Sequence, residues 1–374
     1  LRLQIPGNLM SLELQGVSQV VDGQLHIAPT DLVLEKGTMN VLLGPTSSGK
    51  TSLMRLMAGL DKPSTGRILS SGTDVTNQRV QLRNVAMVYQ EFINYPGMTV
   101  FDNIASPLRL KGQSKADIDR TVRTTAEMLK LTSTLQRRPL ELSGGQQQRC
   151  ALARALVKGA ELVLLDEPLA NLDYKLREEL RAEIPRIFEQ AGSIFVYATT
   201  EPEEALLLGG NTATLWEGQV TQFGSTLSVY RHPESLTTAR VFSDPPMNFI
   251  AVGKAADALS FNDGATVHVH DQWAGLPNGK YTLGFRAHHI NIGLSEAAGS
   301  EFQAAQLRCT VVAIEATGSE TFLRLRYGDA IWVAITPGLK KMAVGDSVNV
   351  GLDVTQLYFF DEAGCLVSCG DSVV

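Results

Sequence analysis

The chain reads as an α/β domain followed by a small all-β barrel, and three stretches say so. A short apolar strand, residues 39–43 (MNVLL), runs into the glycine-rich turn GPTSSGKT and then into a helical SLMRLMAGL. A second apolar run, residues 161–168 (ELVLLDEP), ends in two adjacent carboxylates. From residue 257 to about 360 the pattern changes to short alternating strands broken by glycine turns. Apolar strands without alternation belong to a sheet covered on both faces. The alternating run is the pattern of a small barrel. A chain of 374 residues has room for two or three domains. The expected division is 1–235 and 236–374, with a helical subdomain at about 91–158.

Composition narrows the partners. The 33 basic and 39 acidic residues leave a formal charge of −6, so no overall basic field draws in nucleic acid. No apolar run approaches the ~18–20 residues that span a bilayer, and the opening LRLQIPGNLM is expected to carry no signal peptide. Cys150, Cys309, Cys365 and Cys369 are scattered, which fits reduced thiols better than a disulfide framework.

Taken in order, residues 11–17 (SLELQGV) alternate like an edge strand, and residues 31–34 and 39–43 read as two more. The turn that follows comprises Gly44, Pro45, Thr46, Ser47, Ser48, Gly49, Lys50 and Thr51, with Ser52 next in the helix. Strand, G-x-x-x-x-G-K-[ST] and helix together make a P-loop. Its glycines let successive N–H groups point at phosphate oxygens, and the helix N-terminus adds partial positive charge. Lys50 is expected on the β- and γ-phosphates and the Thr51 hydroxyl on Mg²⁺. A chance glycine turn is the alternative, and the correct flanks on both sides argue against it.

Residues 85–90 (VAMVYQ) form a buried strand ending at Gln90, which alone is an ordinary polar strand end. Helices are expected over 100–110 and 114–130. LSGGQQQR then opens a helix through about Lys158: Ser143 is a good N-cap, and Gly144 and Gly145 leave bare amides for an anion beside Gln146. No lysine accompanies them, so this turn suits the other wall of a phosphate site. The strand ELVLLDEP delivers Asp166 at its carboxyl end, where ligands bind in open α/β sheets. Asp166 would hold Mg²⁺ through water, and Glu167 would polarise an attacking water. A solvated strand end is the competing reading of the two carboxylates. Residues 174–190 read as a charged helix kinked at Pro185, SIFVYATT (193–200) as a strand, and EPEEALLLG as a short helix. TATLWEGQVTQFG reads as a hairpin turning at Glu217 and Gly218.

In this order and spacing, GPTSSGKT, Gln90, LSGGQ, LLDEP and the NLD turn at 171–173 resemble the ABC-transporter ATPases. The resemblance covers residues 11 to about 370. DPPMNFI (244–250), YTLGFRAHHI (281–290) and CTVVAIEATGSETFLRLRYGD (309–329) are similar to the linker and C-terminal OB-like (TOBE) regulatory barrel of the maltose-type carbohydrate importers. The resemblance implies a RecA-like core with a helical subdomain, ATP and Mg²⁺ as ligands, and a dimer. Each ATP would be held by the P-loop and Asp166 strand of one subunit and the Ser143 turn of the other, and Gln90 would join Thr51 and Asp166 at the metal. It further implies two transmembrane permease subunits docked on residues 90–107, a periplasmic solute-binding protein acting through them, and a peripheral position on the cytoplasmic face of a bacterial inner membrane.

Two positions depart from the family pattern. Thr200 stands where a T-H-D sequence would place a His that contacts the γ-phosphate and orients Glu167. Val21 stands where an aromatic ring would stack on adenine, with His26 as a candidate substitute. Glu167 and LSGGQ are intact while the His is gone, so the chain is read as half of an asymmetric pair whose own site turns over slowly. The stretches QEFINYPGMTVFDNIASP and VYATTEPEEALLLGGNTATL are similar to one of the two ATPases of bacterial glycerol importers. The alternatives are a homodimeric ATPase of a sugar or sn-glycerol-3-phosphate importer, and a largely non-hydrolysing ATP-binding partner. A soluble ABC protein acting on ribosomes or DNA would want tandem ATPase halves, and net acidity argues against it.

The remaining polar residues read as structural. His268 and His270 share a strand face, and His288 and His289 are adjacent, which suits surface or core histidines better than a metal cluster. An acid across the C-terminal domain is one partner open to Arg286, and the sequence does not decide it; Glu178-Glu179 and Glu203-Glu204 read as solvated helix faces.

Overall fold

In the computed structural model, the described residues are 11–170, 192–261, 264–268, 273–292 and 304–370, with isolated positions between 175 and 186. The chain divides into two compact units, Leu1–Thr226 and Leu227–Val374.

In the first unit, β1 (Ser11–Val21) and β2 (Gln24–Glu35) form a long antiparallel hairpin, followed by β3 (Met39–Leu43) and α1 (Lys50–Ala58). Then come β4 (Thr65–Ser70), β5 (Thr73–Asp74), β6 (Val85–Val88), α2 (Val100–Leu110), α3 (Lys115–Met128) and α4 (Gly144–Val157). β7 (Leu162–Asp166), β8 (Ile194–Thr199), α5 (Pro202–Leu208), β9 (Asn211–Trp216) and β10 (Gln219–Ser225) complete it. The main sheet has the order β10-β9-β3-β8-β7-β6, parallel except for the β9–β10 hairpin. A second, antiparallel sheet has the order β2-β1-β4-β5.

Alternate residues of the central strands feed two cores. Leu42, Leu164 and Val196 face α1 and the antiparallel sheet, with Leu53, Met54, Leu56 and Met57 between them. Val163, Leu165, Phe195 and Tyr197 face α2, α3 and α4, where Ile104, Val122 and Leu152 close the other core. Covering on both faces is why these strands read as unbroken apolar runs. Thr99 and Ser114 cap α2 and α3 by accepting the amides of Asp102 and Asp117.

β1 is not an edge strand as its alternation suggests; it lies between β2 and β4. A strand buried on one face alternates whether or not both of its edges are paired, so the pattern cannot tell the two apart. The expected helix over 174–190 lies largely outside the described residues, as does the NLD turn.

The second unit is mostly β. Its strands are β11 (Asn248–Ala255), β12 (Ala258–Ser260), β13 (Thr266–His268), β14 (Gly279–Phe285), β15 (Ile290–Ile292), β16 (Ala304–Ala316), β17 (Glu320–Tyr327), β18 (Ala330–Pro337), β19 (Ser347–Asp353), β20 (Tyr358–Phe360) and β21 (Leu366–Cys369). They form two sheets, β13-β12-β11-β14-β20-β21 and β15-β19-β16-β17-β18, over one aromatic core that includes Phe285, Trp332 and Phe359. Arg286 is buried, and the partners its guanidinium donates to are not acids. Its guanidinium donates to the carbonyls of Phe242 (3.0 Å) and Tyr230 (2.6 Å) and to Ser243 Oγ (2.8 Å), and it lies 3.7 Å from the centre of the Tyr230 ring. Carbonyls and an aromatic face supply the negative potential instead. His270 lies outside the described residues.

Candidate functional site

The P-loop leaves the centre of the main sheet, where β3 ends beside β8. The Gly44 N–H donates to the Thr199 carbonyl at 3.3 Å. A Cβ on Gly44 would lie 2.5 Å from Leu215 O and from Ser48 Oγ, so no side chain fits there. Gly49 has φ +103°, and a Cβ on it would stand 2.9 Å from Ile27 Cδ1 and 3.2 Å from Gly218 Cα. The two glycines are therefore fixed by the close approach of β2, β9 and the β9–β10 turn. Gly49 caps α1 with no side-chain hydrogen bond, leaving the helix N-terminal amides to an anion.

Five side chains converge at that turn. Lys50 is 5% exposed; its Nζ donates to Gly44 O (2.8 Å) and Pro45 O (3.0 Å) and stands 3.4 Å from Glu167 Oε1. Burial pulls the Lys50 pKa below the ordinary lysine value, and the Glu167 carboxylate opposes it. Thr51 Oγ1 donates to Asp166 Oδ2 at 2.8 Å. Burial pushes the Asp166 carboxyl up, with the Thr51 hydroxyl acting against that. Gln90 Nε2 donates to Glu167 Oε2 at 3.0 Å. Glu167 itself sits in the left-handed region at φ +45°, its N–H held by Ala198 O at 3.0 Å.

Lys50, Thr51, Gln90 and Glu167 line a pocket of about 550 Å³ that also takes in Thr46, Ser47, Ser52, the start of β2 (Gln24, Leu25, His26) and the turn Glu217–Gly218; Asp166 stands behind it, hydrogen-bonded to Thr51. Its composition suits a triphosphate with a hard cation. The loop has no room for a Cβ at Gly44, a buried Ser48 hydroxyl has no hydrogen-bond partner, and Thr51, Asp166 and Gln90 offer oxygen ligands of the kind Mg²⁺ prefers.

Other expected residues are placed elsewhere. Ser143 caps α4, its Oγ accepting the Gln146 N–H (3.4 Å) while its own N–H donates to Gln146 Oε1 (3.1 Å). Ser143 and Gly144 are exposed, a Cβ on Gly144 would touch nothing within 4 Å, and no residue from Ser143 to Gln146 lines the pocket. Val21 is 38% exposed at the end of β1, across the Asp22–Gly23 turn from Gln24; the hairpin presents Gln24, Leu25 and His26 to the pocket, and not Val21. Thr200 is exposed just past β8 and is not among the lining residues.

The acid read as a solvated helix face, Glu204, is 4% exposed. Glu204 Oε2 accepts from Tyr197 (3.1 Å) and Thr199 (2.6 Å), and Oε1 lies 3.5 Å from Arg181. A short polar helix gives no periodicity from which its inward face can be read; the only sequence signal was a hydroxyl-bearing strand end five residues before an acid.

Known proteins bear on this geometry. The ABC transporter family matches residues 27–170, and the TOBE domain family matches residues 283–360. The chain is 34% identical over 357 residues, 93% of its length and 92% of the relative's, to the sn-glycerol-3-phosphate import ATP-binding protein UgpC of Vibrio vulnificus. It is 35% identical over 346 residues, 88% of its length and 92% of the relative's, to the trehalose/maltose import ATP-binding protein MalK of Thermococcus litoralis. The dimeric structure of MJ0796, a bacterial ABC transporter cassette, is similar to 57% of this chain and 98% of its own, with TM-score 0.53 and 25% identity.

Proposed function

The chain belongs to the ABC transporter family of import ATP-binding proteins, and from that premise we propose that residues 44–52, Gln90, Asp166 and Glu167 bind Mg²⁺–ATP and hydrolyse it. The observation that carries this reading is the joint placement of Lys50, Thr51, Gln90 and Glu167 on one pocket, with Asp166 held against it by the Thr51 hydroxyl. Mg²⁺, held by Thr51, Asp166 and Gln90, would neutralise charge on the phosphates. An incoming triphosphate competes with Glu167 for the Lys50 ammonium. Once free of Lys50, Glu167 polarises water for attack, with Gln90 steadying its second oxygen. The test is ATP turnover and nucleotide binding in the assembled transporter with the partner's own ATPase site inactivated: Lys50→Ala should lose ATP at this chain's site, and Glu167→Gln should keep it while losing turnover. Full turnover in Glu167→Gln defeats the assignment.

The Ser143 turn stands outside its own chain's pocket, with its capping box formed and Ser143 and Gly144 exposed. This favours a facing ATPase subunit, so that Ser143, Gly144, Gly145 and Gln146 close the partner's site. Because Thr200 replaces the expected His, the pair is asymmetric: this chain's own site is slow and its turn completes a faster one. His26 lines the nucleobase end of the pocket, and Val21 lies just outside it across the Asp22–Gly23 turn.

The groove beside β6 and α2, about 330 Å³ and lined by Tyr89, Ile93, Tyr95, Pro107, Leu110 and Arg154, is the proposed permease dock. Arg154 stacks on Tyr95, and buried Asn103 ties Tyr95, Met98 and Thr99 to α2, so the groove is firmly built. Among the described residues no helix is long and apolar enough to cross a membrane, which fits a peripheral subunit on the cytoplasmic face. The solute proposed is glycerol or a related polyol or sugar, delivered by a periplasmic binding protein. The names of the relatives favour one second reading, a homodimeric ATPase for sn-glycerol-3-phosphate or a sugar.

A further inference from the structure

The end of β8 does more than carry Thr200. Its Thr199 carbonyl accepts the N–H of Gly44, the first residue of the P-loop, and its Ala198 carbonyl accepts the N–H of Glu167. Both halves of the reactive pocket therefore hang on two consecutive peptide groups. That strand end is in turn gripped from behind. The Thr199 hydroxyl donates to Glu204 Oε2 at 2.6 Å and also accepts the Glu201 N–H at 3.0 Å. Glu201 binds Arg177 (2.8 Å) through one oxygen and Arg181 (2.5 Å) through the other, and Arg181 reaches Glu204 as well. Arg177 then returns to the first loop, donating to Ala170 O at 3.4 Å, three residues beyond Glu167.

We propose that Arg177, Glu201, Glu204 and Thr199 form a positioning network that sets Glu167 in register with the P-loop. None of these side chains lines the pocket; they act through the backbone at Ala170, Ala198 and Thr199. Glu204 is buried and takes two hydroxyl hydrogen bonds, while Arg177 and Glu201 are half-buried and paired; such a partly desolvated network favours one geometry, because another leaves a charge unpaired in low dielectric. A reacting group displaced by 1 Å costs about 100-fold in rate, so the effect of the network falls on the chemical step. The proposal rests on the ATPase reading above.

The test uses the full chain assembled in its transporter with the partner's own ATPase site inactivated, and single-turnover ATP hydrolysis, nucleotide affinity and thermal unfolding are measured side by side. Thr199→Val keeps the strand's shape and removes the hydroxyl; Arg177→Met removes the link to Ala170. Each should lower the hydrolysis rate about 10- to 100-fold while ATP affinity changes less than about threefold. The double swap Arg177→Glu with Glu201→Arg should recover part of the loss. A rate per folded site within about twofold of the parent in both single variants, whatever the unfolding temperature does, overturns the proposal. Glu167→Gln is assayed alongside: if it too leaves the rate unchanged, the ATPase reading itself falls, whereas a dead Glu167→Gln beside an active Arg177→Met sinks only the network.

Discussion

Lys50 and Glu167 meet as a partly buried ion pair, Nζ to Oε1 at 3.4 Å, in the P-loop pocket. One carboxylate is thereby held by the cation expected to receive phosphate and, through its other oxygen, by Gln90. Glu167→Gln is expected to lower ATP hydrolysis by ~10²–10⁴, the usual scale for a lost general base. Nucleotide affinity should hold or rise, because Lys50 no longer has a competing carboxylate. Paired turnover and fluorescent-nucleotide titrations check both halves of the claim.

Restoring the missing donor gives a second prediction. Thr200→His is expected to raise the turnover of this chain's own site by ~10²–10³, the range associated with one positioned transition-state donor. The measurement is ATP hydrolysis by complexes whose partner site has been inactivated. Fast turnover in the parent chain would remove the case for asymmetry.

Val21→Tyr tests the nucleobase end. Base–aromatic stacking contributes about 1–3 kcal/mol, so ATP affinity should tighten about tenfold. His26→Ala should weaken it, because His26 and not Val21 borders the pocket. Equilibrium titration of both variants distinguishes the two contributions.

Acid stability of the second unit should depend on His289. Burial, with repulsion from His288 and Arg286 added, holds its pKa down to about 4 against the ordinary 6.5. Below the ordinary value the unfolded chain takes up a proton that the folded chain refuses. Stability is therefore complete above about pH 6.5 and is lost progressively down to about pH 4. The loss reaches roughly 3 kcal/mol, at ~1.4 kcal/mol for each tenfold difference in proton affinity between the folded and unfolded chain. Denaturant unfolding of the full chain across that window should show the slope, and His289→Gln should flatten it.

The parts legible in the sequence were those in which local pattern and chemistry coincide. Gly44 to Thr51 between an apolar strand and a helix, and Asp166 at the end of LVLLD, could be read because motif and flanks agree. Glu204 misled because seven residues of helix are too short to show which side faces inward. The partners of Arg286 were not legible, because carbonyl oxygens and the Tyr230 ring, which no residue-type pairing rule records, are what it takes. Which hairpin residue faces the pocket depended on the Asp22–Gly23 turn and on the registry of Gly218 against His26, both set by tertiary contact.

Glu167 adopts a backbone conformation that a non-glycine residue holds at a cost of about 1 kcal/mol or more. Glycine would relax there, at the very position whose carboxylate the chemistry uses. Breeding this protein for heat resistance alone would therefore drift toward a sturdier molecule that no longer works, so any such campaign has to screen for turnover at every round.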